Sequence, residues 1–598
     1  MIYRTEIDGL RALAVIPVIF FHAGFIGFSN GYLGVDVFFI ISGYLITSFL
    51  IKNKHTSKNN LHEFYIRRIR RIIPILYLVT FVSLPIGLLL MQPYDLENFG
   101  QSLVASTLMS SNILFFITNS YWEPISEFKP LLHTWSLSIE EQFYLFFPLL
   151  FIFFTKDRLK KIMYFIFLIW FVSFFLWVIF TIQGNSKAVF YLLPFRAWEL
   201  MTGGVLACLL FFYPERLNNR FSEVFSIIGL CLLILGFVIT ESNKTIHVMN
   251  VISAILGTSL IILFASNTDK FKKILCFPPL VLIGLMSFSL YMWHVPIFAF
   301  LRIASYGELP NDVFAITLLF LLPLSYFSWK IELYFRDRNK ISNSKLIMLT
   351  SIFSLILLST GLSMHFKQGF PERFDGILTR PNTEYISTKD YLLSASKKLD
   401  NFTYSDSKMP QITIMGDSFS SDLINMLLEV GIERSYKISK QDYNCINAEQ
   451  DSLEGIAAVA SASEMTFVSY NMLYNNDQWN CFNKLINMFK SQNINFLVIG
   501  SKNFGINMNP FVVRPKKDFY VYPNNSTIAF NKALSNMLDK NFIDLLPMIS
   551  NQDNRIPIYT DNGRIISEDA YHLTPAGAEY IGIKLKAYLR ENNYLSNI

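Results

Sequence analysis

The sequence predicts a multi-span α-helical membrane domain followed by a soluble α/β domain built on a parallel sheet. Three observations predict it. Hydrophobic residues fill 52% of the 598 positions and charged residues only 16%, well below the roughly 25% charge of a soluble globular domain. Long apolar runs follow one another as far as His365. Beyond that point the pattern changes to short apolar runs separated by amphipathic stretches, as expected of buried strands alternating with helices.

A bilayer core needs about 20 mostly apolar residues per helix. Runs of that kind lie near 10–28, 32–51, 72–91, 137–154, 160–182, 192–213, 222–240, 247–266, 279–302, 312–334 and 345–365. They predict ten spans and an eleventh, linking helix. The first run has no small-residue cleavage site and contains Arg11 and His22, so it reads as a retained span and not a signal peptide. A twelfth stretch, Phe99 to Thr118, is interrupted by Ser, Thr and Asn. Charge decides against its spanning. With the N-terminus inside and this stretch excluded, the inner loops carry twenty Lys or Arg and the outer loops three, Lys129, Lys187 and Lys244. If it spanned, every later loop would change sides and the positive-inside bias would collapse. The expectation is eleven spans, a cytoplasmic N-terminus, an external C-terminus, and a re-entrant or interfacial piece at 99–118, whose polar groups protein or water must cover.

These features divide the chain into a membrane domain at 1–340, the eleventh span with a polar linker region at 341–410, and an external domain at 411–598. In the last, "QITIMG", "MTFVSY", "INFLVIG" and "FIDLL" are suited to buried parallel strands. Five cysteines without C-x-x-C spacing argue against a zinc ribbon or redox motif, and no metal site is expected. Cys445 and Cys481 share the external domain; a bridge and two free thiols are equally open.

Polar groups inside lipid are costly and mark function. Arg11 and His22 lie in the first span, Asp36 in the second, His133, Glu140 and Glu141 in the fourth, Arg196 and Glu199 in the sixth and His294 in the ninth. Structural ion pairs are the plainer account, and interfacial anchoring is the plainer account for His133, Glu141 and Trp122. Ionisable groups on so many spans nevertheless predict a shared polar cavity, with Asp36, Glu140, Arg196, Glu199 and His294 as candidates. Asp36 is also a candidate orienting carboxylate for His22. The stretch "EFYIRRIRRIIP" sets Arg67, Arg68, Arg70 and Arg71 against the third span. Lysine would fix topology equally well, whereas arginine adds a planar fork that grips phosphate. A phosphate-bearing cytoplasmic ligand is therefore expected, with anionic lipid head groups as its competitor.

In the external half, "ITIMGDSFSSDLINMLLEV" reads as strand, turn, helix. Ser418 stands where the strand stops, a position that exposes a hydroxyl beside helix N-terminal N–H groups. Far downstream, "SEDAYHLTPAGAEYIG" places Asp569 three residues before His572. That spacing suits a carboxylate that orients an imidazole, with His572 as base for Ser418.

The blocks "RTEIDGLRALAV", "GVDVFFIISGYLIT", "FYIRRIRRIIP", "HTWSLSIEEQFYLFFP", "RAWEL" and "SLYMWHVP" closely resemble the acyltransferase-3 family of integral-membrane acyltransferases, in matching order over roughly the first 335 residues. The resemblance implies ten spans that take acyl groups from cytoplasmic acyl-coenzyme A. It makes Arg11 and His22 the family's essential pair and Arg67, Arg68, Arg70 and Arg71 its basic loop motif, and it matches the eleventh span to members with an external domain. Separately, "GDS" and "DAYH" resemble the first and last blocks of the SGNH-hydrolase superfamily, which implies a three-layer α/β fold over about 411–598. There Asn471 in "FVSYNM" is the candidate oxyanion-hole asparagine, and the corresponding glycine has no assignment.

Together the resemblances imply a bacterial inner-membrane O-acetyltransferase, in contact with the lipid bilayer and with no nucleic acid partner. It would move acetyl from acetyl-CoA, a donor substrate and not a bound cofactor, to a surface polysaccharide. "PERF" and the fused layout look like members that modify lipopolysaccharide O-antigen, with peptidoglycan and capsule open. A transporter and a membrane-tethered glycan esterase are rivals from other classes. The acceptor sugar and the oligomeric state have no signature in the sequence.

Overall fold

A computed structural model describes residues 3–55, 61–118, 126–151, 159–214, 221–241, 243–268, 270–306, 309–379, 383–400, 409–441, 453–473, 476–505, 507–516 and 518–597. The chain divides into two compact units. One comprises Met1–Leu89, Asp95–Arg302 and Glu308–Gly369; the other comprises Leu90–Tyr94, Ile303–Gly307 and Phe370–Ile598.

The first unit is helical. Eight helices among the described residues are long and apolar enough to cross a membrane. Shorter helices at Thr5–His22, Thr134–Leu150 and Ser222–Val238 occupy the other three of the eleven predicted runs. The first helix ends at His22, six residues before the predicted limit, because Gly24 and Gly27 take left-handed backbone in the turn that follows. The third differs more. It runs without a break over Leu61–Leu90, so the arginine cluster rides on a helical extension of the span. The stretch at 99–118 is broken. Pro93–Thr107 and Ser111–Thr118 are separate helices of 15 and 8 residues, with Met109 in left-handed backbone between them, and neither reaches a span's length. Protein covers their polar groups: Ser111 Oγ lies 2.8 Å from Ser138 Oγ, Asn112 Nδ2 donates to the Tyr191 carbonyl at 3.0 Å, and Gln142 Nε2 donates to Asn112 Oδ1 at 2.8 Å.

Small residues let the helices approach. A Cβ on Gly43 would fall 1.8 Å from the Leu200 carbonyl oxygen, and one on Gly203 would fall 2.0 Å from that of Ile40. The helices Gly34–His55 and Leu193–Phe212 therefore touch backbone to backbone. In lipid such contact supplies the dispersion energy that the hydrophobic effect cannot.

The second unit holds a five-stranded parallel sheet in the order β2-β1-β3-β4-β6. Its strands are β1 (Gln411–Gly416), β2 (Lys437–Gln441), β3 (Met465–Ser469), β4 (Phe496–Ile499) and β6 (Phe542–Ile543); β5 (Tyr520–Val521) and β7 (Ile556–Pro557) form a small antiparallel pair. Side chains alternate across the sheet. Ile412, Ile414, Phe467, Leu497 and Ile499 enter one core with Leu423, Leu427, Ile581 and Leu585. Met415, Val468, Phe496 and Val498 enter another with Phe482, Leu485, Phe530 and Leu534. Helices thus cover both faces, and the unit has three layers. β2 was not anticipated, because "KISKQ" is an edge strand too polar to read as a buried run. After β1 the chain moves to β2 on one side, then returns to β3 on the other. The carboxyl ends of β1 and β3 therefore flank a topological switch point, where open parallel sheets bind ligands.

Candidate functional site

Ser418 opens the helix Ser418–Glu429, directly beyond the carboxyl end of β1. Two features force the turn before it. Gly416 has φ +140°, and a Cβ there would fall 1.8 Å from the Ser469 carbonyl oxygen of β3. Asp417 caps the helix by accepting from the Phe419 N–H at 2.9 Å, as an N-cap carboxylate does. Its other oxygen accepts from the Asn471 N–H at 2.9 Å. One carboxylate thereby ties the turn after β1 to the turn after β3 and places Asn471 next to the serine's neighbour.

The predicted base and its carboxylate meet the serine. Ser418 Oγ donates to His572 Nε2 at 2.9 Å, and His572 Nδ1 donates to Asp569 Oδ2 at 2.7 Å. Asp569 Oδ1 also accepts the backbone N–H groups of Tyr571 and His572, at 2.9 and 2.7 Å. Ala570, between the two triad members, takes φ +73°, an uncommon conformation for a residue with a Cβ. Burial by itself would lower the imidazole's pKa, but the charge and hydrogen bond of Asp569 outweigh it, so His572 is held above its usual range. This arrangement can deprotonate Ser418 for attack on an acyl carbon and stabilise the imidazolium that forms. Asn471 accepts a long contact from Ser501 Oγ at 3.5 Å through its own Oδ1.

One further pair was missed by sequence reading. Asp422 and Lys502 are almost wholly buried, with Lys502 Nζ 2.6 Å from Asp422 Oδ2. The Lys502 ammonium also lies 3.8 Å from the centre of the Phe419 ring. Position 422, one turn after Ser418 on the same helix, was the available signal. Cys481 is disulfide-bonded; Cys445 lies outside the described residues, as does Trp122.

In the first unit, a cavity gathers Arg11, Ser42, Arg68, Arg71, Glu140 and Tyr291 from five helices. The four clustered arginines have separate fates. Arg68 and Arg71 line the cavity, and Arg68 lies 5.1 Å from the Tyr144 ring centre. Arg67 is exposed and pairs with Glu63 at 2.7 Å. Arg70 is buried and donates to the carbonyls of Phe335 and Ile341, each at 2.6 Å, and to Asn343 Oδ1 at 2.8 Å. Helical geometry accounts for the split, because Arg68 and Arg70 are roughly 200° apart around the axis.

Asp36 does not orient His22. Its Oδ1 accepts from Arg196 Nη1 at 2.5 Å, and the same guanidinium nitrogen donates to Glu199 Oε1 at 2.6 Å. These three cavity candidates form a buried ion triad of their own. His22 Nδ1 donates to the Val18 carbonyl at 2.9 Å, which leaves a neutral ring's lone pair on Nε2. The His22 and His294 rings lie 5.0 Å apart, and the His294 and His133 rings 5.8 Å apart.

A family model described as "Acyltransferase domain" matches residues 4–330. The chain is 32% identical over 386 residues to the O-acetyltransferase OatA of Staphylococcus aureus (strain MRSA252), covering 60% of this chain and 63% of that one. It is 34% identical over 310 residues to the peptidoglycan O-acetyltransferase OatA of Listeria monocytogenes serovar 1/2a, covering 49% of each. The chain thus spans between about half and two thirds of the curated relatives it matches. No solved structure matches. With the family model spanning more than half of the sequence, this multi-pass membrane protein belongs to the acyltransferase-3 family.

Proposed function

We propose that this chain is an O-acetyltransferase that carries acetyl from cytoplasmic acetyl-coenzyme A to hydroxyl groups of a cell-wall polysaccharide. The observation that carries the reading is the Ser418–His572–Asp569 chain of hydrogen bonds in a protein that also bears an acyltransferase domain. Arg11, Arg68 and Arg71 hold the phosphates of the donor, and His22 offers Nε2 as base or acyl acceptor. Outside, Ser418 Oγ attacks the acetyl carbonyl and its proton passes to His572 Nε2. The leaving group takes that proton, and an acetyl-serine remains. An acceptor hydroxyl then attacks, His572 accepts its proton, and Ser418 recovers a proton as the ester leaves. The backbone N–H of Ser418 faces the developing oxyanion, with Asn471 as its SGNH-type partner.

The acceptor we favour is peptidoglycan, which the Listeria relative's name specifies; nothing in the relatives supports the lipopolysaccharide O-antigen preference read from the sequence. The membrane is the bacterial cell membrane, with the N-terminus cytoplasmic and the triad outside. The twenty-to-three distribution of basic residues and the oxidised state of Cys481 both support that orientation. The test is Ser418→Ala in the full chain. Ester-linked acetate on isolated muropeptides should fall by several orders of magnitude, with the protein still present at wild-type level in membranes. Near-normal acetylation would show that the membrane domain transfers directly to the acceptor and would sink the role of Ser418. Acetate missing from lipopolysaccharide or capsule instead of muropeptides would reassign the acceptor.

A further inference from the structure

We propose that Asp422 and Lys502 are positioning residues for His572, with Asp422 anchoring the loop that carries the base and Lys502 balancing the anchor's charge. The inference rests on His572 serving as the base for Ser418.

The connection is geometric. Asp422 stands four residues after Ser418 on the same helix, so its side chain projects from the nucleophile's own face one turn along. Its Oδ1 accepts the backbone N–H of Leu573, the residue after His572, at 3.1 Å. Nucleophile and base lie 154 residues apart in sequence, yet one rigid helix sets the position of both. The second oxygen of Asp422 is held by Lys502, which follows β4. Phe419 fills the remaining space. Its ring lies under the Lys502 ammonium and meets the His572 ring edge-on at 5.6 Å.

Such a pair contributes little as mere filling. Both side chains are at most 1% exposed. The desolvation of two buried charges offsets most of their attraction, and apolar residues of similar volume commonly stabilise a core better. What an apolar pair cannot do is accept the Leu573 N–H or act electrostatically on the imidazole. Four charged groups act on the ring: Asp569 from its own loop, Asp417 from the turn after β1, Asp422 from the helix and Lys502 from beyond β4. Asp422 favours the imidazolium and Lys502 opposes it, so neutralising one or the other should move the base in opposite directions.

The test measures covalent labelling of Ser418 by a fluorophosphonate probe in the detergent-solubilised full chain, as a function of pH. Active protein is counted by the labelling end point, so loss of folded protein does not enter the rate. In wild type the rate should follow an acid limb set by His572. Lys502→Met should move that limb to higher pH and Asp422→Asn to lower pH, each by about half a unit or more, as expected of a charge a few ångströms away. Asp422→Asn keeps an acceptor for Leu573 and should retain most of the plateau rate, whereas Asp422→Ala should lose about tenfold, one hydrogen bond's worth of positioning. If Lys502→Met does not fold, the two Asp422 variants decide. Unmoved limbs together with an unchanged Asp422→Ala plateau would overturn the proposal and leave the pair a structural ion pair. A wild-type chain that never labels at Ser418 would instead overturn the catalytic reading beneath it.

Discussion

At the scale of single residues, the chemistry of the second unit is written in short local patterns. A serine at the end of an apolar run and a histidine three residues after an aspartate could be recognised because each pattern lies within one turn of chain. The partner of Asp36 could not, because Arg196 is 160 residues away and sequence shows that a charge is buried without showing what neutralises it. Asp417 and Asp422 were passed over for the same reason: their partners Asn471, Lys502 and Leu573 come from other strands and loops. The recognisable part makes a pH prediction. Only neutral His572 can take the Ser418 proton. Because Asp569 and its hydrogen bond raise the imidazole's pKa against the effect of burial, transfer should rise with pH and level off through a midpoint above the usual value of about 6.5. Asp569→Asn removes the raising charge and mispositions the ring. The midpoint should then fall, and the plateau should drop by about 10³- to 10⁴-fold. A rate profile of the purified full chain checks both, and a midpoint that stays put would mean that the limb belongs to another group.

Elements were easier to find than their limits. Four of the five strands in the main sheet lie within apolar runs chosen from sequence, since a parallel strand covered on both faces must be apolar on both. β2 escaped because an edge strand escapes that requirement. The third membrane helix was placed correctly in its apolar part, yet its continuation back to Leu61 was invisible to a hydropathy argument. The sharpest constraint on an element is Gly416, at the junction of β1 with the helix Ser418–Glu429. Only glycine tolerates φ +140° there, and any Cβ would collide with the Ser469 backbone of β3. Since the colliding atom is backbone, relief requires the two strands to part. Gly416→Ala should therefore cost about 3 kcal/mol or more, combining conformational strain with a steric clash. Labelling of Ser418 should be lost in the same step. Thermal unfolding of the solubilised chain measures the first effect. A variant with wild-type stability would show that the turn before Ser418 can relax without moving β3.

Across the whole molecule, one short stretch has to satisfy demands of different kinds. The two sides assigned from sequence carry twenty basic residues against three, the kind of bias that sets orientation in membrane proteins, and Arg67, Arg68, Arg70 and Arg71 supply four of the twenty. Because the stretch is helical and continuous with the span, those four point in different directions and do different work. Arg70 uses its fork on three acceptors that run from the last turn of the helix Asn311–Arg336 to the first residue of the helix Asn343–Phe366, Arg67 pairs with Glu63 at the surface, and Arg68 and Arg71 face the cavity with Arg11. Lysine substitution separates these roles, since it preserves charge and topology but removes planar, forked hydrogen bonding. Arg67→Lys should leave insertion, stability and transfer unchanged. Arg70→Lys should lower the melting temperature, because an ammonium cannot reach all three acceptors in that geometry. Arg68→Lys with Arg71→Lys should keep the orientation, read by protease access to residues 411–598 in intact cells and in opened ones. The same double variant should reduce acetyl transfer about tenfold or more at limiting acetyl-coenzyme A, with a smaller loss at saturation, as expected when a bidentate phosphate contact becomes a point contact. If that double variant transfers at the wild-type rate when donor is scarce, the cavity arginines serve orientation alone, and the donor's phosphates must be held by other groups.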